Sequence, residues 1–132
     1  MEFIYTLHSH FRWLVLLFAV VTVILYLHGW LSKRRFSKID RTMGVIFVST
    51  LDLQVLLGLI NLIAIASATQ ELHAKQIEHV ATIIAALVLV HVAAKWKSKP
   101  DTIRFKNTFF FYFVAIVLVF NGIVRLRGGL TW

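Results

Sequence analysis

Cysteine is absent from the 132 residues, proline occurs once, and acidic residues number only six. Without thiols the chain forms no disulfide, no thiolate-held zinc site, no iron–sulfur cluster and no covalently attached haem. The single proline, Pro100, lies in a polar stretch, so no apolar run carries a helix breaker. Charged residues make up 15% of the chain against 59% apolar, with a mean hydropathy of +0.80. A soluble domain of this size cannot bury so much apolar surface. A bilayer accepts it, because a helix there satisfies its own backbone polar groups and about 20 apolar residues suffice to cross. Paired carboxylates, an activated nucleophile and a phosphate-cradling glycine loop are also missing, which argues against an enzyme acting alone. Span 1 holds no acidic residue to couple protons to a substrate, which disfavours a small multidrug exporter. Glu2 precedes any basic segment and no small-residue cleavage site follows the first apolar run, so that run reads as a retained helix.

What is present is apolar sequence in four blocks. Spans are expected at about residues 11–31, 43–68, 76–94 and 107–126, forming one domain over residues 1–132. The expected fold is all-α, an integral membrane up-down four-helix bundle. The 1–2 and 3–4 loops hold Lys33, Arg34, Arg35, Lys38, Arg41, Lys95, Lys97, Lys99, Arg104 and Lys106, against Arg12, Lys75, Arg125 and Arg127 at the other end. Basic residues near span ends stay in the cytoplasm, so the N and C termini are expected on the non-cytoplasmic side. The net charge of +8 then needs no nucleic acid, since anionic lipid headgroups suffice as partners of these loops. Trp13, Trp30, Trp96 and Trp132 fall near span ends, where amphipathic rings anchor.

Six histidines stand out in so apolar a chain, because an ionisable side chain inside a span usually faces a partner or cofactor. His8 and His10 open span 1, and His79 lies one turn into span 3, which starts on the same side. Spans 1 and 3 are diagonal in an up-down bundle, so two imidazoles can approach one flat macrocycle from opposite faces. A bis-histidine haem b is therefore expected, with His10 and His79 as iron ligands and His8 as the alternative to His10. Arg12 and Arg125 are placed to bind its propionates. His28 and His91 form a possible second level. His10 and His28 are 18 residues apart and share a face about 27 Å long, whereas His79 and His91 are turned by about 120°. Gln54, Gly58 and Asn61 share one face of span 2, and Ala81, Ala85, Ala86, Ala93 and Ala94 keep span 3 slim; small residues serve a flat ring or plain helix packing alike. Asp52 points away from Gln54 and is expected to meet a basic or polar group of another subunit. Asn121 and Arg125, an i, i+4 pair, suit a quinone headgroup or a propionate, and Glu78 is expected to face water or a neighbouring chain.

The stretches His8-Ser9-His10-Phe11-Arg12-Trp13, Leu53-Gln54-Val55-Leu56-Leu57-Gly58-Leu59 and Glu78-His79 resemble those of a family of small bacterial membrane proteins with four spans, often labelled cytochrome b or cytochrome b-like. The resemblance implies a multi-pass protein of the bacterial inner membrane and carries over His8, His10 and His79. The family's pattern has a histidine two residues before the span 2 glutamine, where this chain has Asp52, so span 2 is not expected to supply a ligand. Three functions are weighed. The first is a b-type haem protein passing electrons to or from quinol or a partner redox subunit. The second is an accessory subunit of a respiratory or photosynthetic complex, docking other membrane subunits through the aromatics Phe109, Phe110, Phe111, Tyr112 and Phe113. The third is a chlorophyll or quinone binder.

Overall fold

The computed structural model describes residues 2–69 and 74–127. They form α1 (Glu2–Ser32), α2 (Lys38–Thr69), α3 (Ala74–Val92), a 3-10 segment (Ala93–Ser98) and α4 (Asp101–Arg127), with no strand among the described residues. Segments Thr6–Ser32, Lys38–Ala68, Gln76–Ser98 and Asp101–Val124 are each long and apolar enough to cross a membrane. This is the layout of a multi-pass membrane protein. The helices outrun the expected spans: α1, with 31 residues, is about 46 Å long against a hydrocarbon core of about 30 Å. Trp132 and the Gly128-Gly129 pair lie outside the described residues.

Each helix packs on its neighbours in a square. α1 lies against α2 and α4, α3 lies against α4, α2 meets α3 along a thin seam, and among the described residues the backbones of the diagonal pairs stay apart, although Phe47 of α2 and Tyr112 of α4 meet ring to ring across the core. The inward stripe repeats every three or four residues: Val15, Ala19, Thr22 and Tyr26 on α1, and Phe105, Thr108, Tyr112, Ala115 and Val119 on α4. The outward faces are equally apolar, with Leu17, Ile24, Ile63 and Val117 exposed. A helix apolar on all sides suits lipid. Tyr112 is therefore core and not part of a lipid-facing aromatic run, whereas Phe110 and Phe113 do face outward.

The turn between α1 and α2 is locked by local chemistry. Lys33 adopts φ 54°, and the N–H groups of Lys33 and Arg34 return to the carbonyls of Trp30 and Gly29, a Schellman stop for α1. Ser37 then caps α2: its N–H and hydroxyl donate to Asp40 Oδ2 at 2.7 and 2.9 Å. Arg34 binds both oxygens of the fully buried Asp40 and also donates to the Leu25 carbonyl at 3.1 Å. Its hydrogen bond to Asp40 raises the Arg34 pKa above an already high ordinary value, so the pair stays charged. Tyr26 donates to the Asp40 carbonyl at 2.8 Å, and Phe36, Phe105, Tyr26, Tyr112 and Phe47 form a continuous ring cluster beneath.

Gly29 lies directly against the Phe105 ring, where a Cβ would overlap three ring atoms. Phe105 is fully buried and cannot withdraw. Gly29→Ala is expected to lower stability by about 1–3 kcal/mol, read as a lower unfolding midpoint in detergent.

At the other corner, Pro100 accepts the first helical bond of α4 from Arg104 N–H at 2.9 Å. Lys99 before it is extended, as the residue preceding proline tends to be.

Candidate functional site

The two halves of the bundle differ. The half nearer the basic loops is filled by Phe47, Phe105, Tyr26 and Tyr112, whereas the half nearer the termini encloses a cavity of about 440 Å3. All four helices line it: His8, Arg12 and Val15 from α1; Gln54, Gly58 and Asn61 among others from α2; Gln76, His79 and Ile83 from α3; Val119 and Ile123 from α4. The polar face expected on α2 from Gln54, Gly58 and Asn61 is thus the face the cavity uses.

His8 and His79 reach this cavity from diagonally opposed helices. The His8 ring lies over Gly58, where a Cβ would come within 2.8 Å of Cε1. Only glycine leaves room for the imidazole at that height of α2. The Gln54 side-chain N–H donates to the His8 carbonyl at 2.8 Å, which ties α2 to the first turns of α1. Gln54 is 8% exposed, and its Oε1 is a buried acceptor with no hydrogen-bond partner among the described atoms. His79 Nδ1 lies 3.1 Å from the Gly122 carbonyl. A carbonyl only accepts, so Nδ1 carries the proton and donates, and in the neutral ring Nε2 keeps its lone pair. A metal-binding histidine is oriented in the same way. Arg12, one turn below His8, is buried at 8% exposure and lines the same space, with its guanidinium 5.7 Å from the centre of the Trp13 ring.

His10 behaves differently. It is exposed and does not line the cavity, so the structure joins His79 with His8 and not with the expected His10. The reason is angular: two residues along a helix turn the side chain by about 200°. His8 shares its face with Arg12, Val15, Ala19 and Tyr26, all buried or lining the cavity. His10 and His28 do share a face, as the spacing requires, but that face looks outward.

The possible second level at His28 and His91 does not come together. His28 Nδ1 accepts from Arg34 Nε at 3.3 Å, while His91 Nε2 lies 2.8 Å from Asp52 Oδ1. The Asp52 and His91 side chains are 44% and 54% exposed, and they join α2 to α3 across their thin seam. The partner expected for Asp52 in another subunit is thus His91 of the same chain. Asn121 and Glu78 are exposed, and the side chains of Arg125 and Arg127 lie outside the described residues.

Comparison with family models, with curated proteins and with solved structures finds no match. The chemistry of the site therefore rests on its own residues. Among the described residues no group of three or more His, Asp or Glu gathers to cage a bare metal ion. Two histidines from different helices lining one cavity match instead the protein's share of a metal site whose other positions a macrocycle would fill.

Sequence reasoning missed two features. One is the Arg34–Asp40 lock, announced by a capping pattern in Ser37-Lys38-Ile39-Asp40. The other is a second groove among the basic residues, which no local pattern marks.

Proposed function

We propose that the chain is a b-type haem-binding electron-transfer protein or subunit of the bacterial inner membrane. In this reading the basic loops lie in the cytoplasm and the haem lies near the opposite surface, between His8 and His79. One observation carries the reading: two histidines from diagonal helices line a single cavity, His8 seated over Gly58 and His79 held by the Gly122 carbonyl. The volume, about 440 Å3, falls in the range of cofactor sites, roughly 300–1,000 Å3. Arg12 places a buried guanidinium in the lining, the type of group that binds a carboxylate of a guest, and Val15, Ile83, Val119 and Ile123 supply apolar wall. The bound haem would supply a one-electron carrier; the chain's residues would hold and orient it, and the Gly122 carbonyl would keep the His79 Nε2 lone pair free.

A dithionite-reduced minus oxidised spectrum of the detergent-purified protein, with a pyridine haemochrome assay, tests this. The expected result is sharp low-spin α and Soret bands and one haem per chain. A flat spectrum from protein isolated in its native complex would overturn it.

The amides of Gln54, Asn61 and Gln76 along the cavity favour a second reading, a quinone site. That reading expects quinone in an organic extract of the same sample and no haem bands.

A further inference from the structure

A groove of about 540 Å3 lies at the basic-loop end, between α2 and the end of α3, with α4 behind it. Its floor is Tyr26, Val90, Thr108 and Tyr112, all buried, and its open side carries the apolar Val45 and Ala94, both exposed. Three cations line it: Arg41 from α2, Lys97 from the 3-10 segment and Arg104 from α4. The Arg104 guanidinium lies 3.5 Å from the centre of the Phe36 ring, which fixes its plane before any ligand arrives. Among the described residues no carboxylate lines the groove. Asp40 is taken by Arg34, Asp52 by His91, and Asp101 is exposed at the start of α4 and does not line the groove.

We infer that this groove binds one anionic glycerophospholipid. Its phosphate is held among Arg41, Lys97 and Arg104, and one acyl chain runs along Val45, Val48 and Ala94 toward the seam between α2 and α3. Both halves of the ligand are called for. A cluster of cations at the end of a membrane helix attracts a phosphate, and the groove continues from it as an apolar wall that a soluble anion would leave bare. Basic grooves between helices at the headgroup level select anionic lipids by this combination. The site is independent of the cavity at the other end and of what that cavity holds.

Native mass spectrometry of the full chain released from detergent, titrated with phosphatidylglycerol or phosphatidylcholine, tests it. One phosphatidylglycerol per chain is expected to be retained where phosphatidylcholine is not. The double variant Arg41→Gln, Lys97→Gln, both exposed positions, is expected to weaken retention about 25-fold, at about fivefold per cation. A control variant, Lys33→Gln with Arg35→Gln, removes the same charge from exposed positions that do not line the groove and is expected to retain lipid as the unmodified protein does. Equal loss in both double variants would overturn the site in favour of diffuse attraction. Equal retention of both lipids would overturn its charge selectivity, and displacement of phosphatidylglycerol by glycerol 3-phosphate at matched concentration would overturn the acyl-chain half.

Discussion

His8→Ala and His79→Ala are each expected to abolish the low-spin haem spectrum, while His10→Ala leaves both the spectrum and the haem content unchanged. The contrast follows from where the rings lie. His8 and His79 line one cavity, whereas His10 is on the exposed face of α1. If His8 and His79 hold a haem as proposed, losing either imidazole would remove one of its two protein ligands and convert the low-spin spectrum to a high-spin one or empty the site. Gly58→Ala is a subtler probe of the same geometry. Its new Cβ would come within 2.8 Å of His8 Cε1, so the ring must leave its position although the ligand atom is retained. Disturbing the support of a metal ligand costs about 10–100-fold in affinity. Haem counted per chain by pyridine haemochrome separates these outcomes. Full haem retention in His8→Ala together with loss in His10→Ala would show that α1 presents its other face to the cavity in the membrane.

Asp40→Ala and Arg34→Ala are expected to cost about 3–5 kcal/mol each. Removing Asp40 strands a guanidinium wedged against the Phe105 ring, 4.8 Å from its centre, and takes away the cap of α2. Removing Arg34 leaves a fully buried carboxylate with only Ser37 to solvate it. Arg34→Lys is expected to recover little, because an ammonium cannot grip both oxygens while also reaching the Leu25 carbonyl. Unfolding midpoints in mixed micelles measure the effect. A midpoint for Asp40→Ala equal to that of the unmodified protein would show that the turn is held by ring packing alone.

The four long apolar helices were legible because their length and apolarity, the two properties a span requires, are written in the sequence itself. The inward face of α2 was legible as well, through Gln54, Gly58 and Asn61, since polar and small residues are conspicuous on an otherwise apolar helix. The inward face of α1 was not. Apolar residues surround that helix, so hydrophobicity marks no side; the inside is marked by Arg12, Ala19, Thr22 and Tyr26, a stripe that includes His8 and excludes His10. Helix α4 hid Tyr112 in a run of phenylalanines in the same way, and only its alignment with Thr108, Ala115 and Val119 shows it to be core. The Asp52–His91 contact joins positions 39 residues apart, and nothing local to either residue announces the other.

The thin seam between α2 and α3 also bears on how the bundle is filled. Helix α3 is the least buried of the four and rests chiefly on α4, whereas α1 packs on both α2 and α4. If the proposed site holds a flat guest, the α2–α3 seam is the side of the bundle with the least helix packing to part for its entry. Arg34 ties the end of α1 to the start of α2 through Asp40 and the Leu25 carbonyl, and Asp52–His91 is a side-chain contact across the α2–α3 seam.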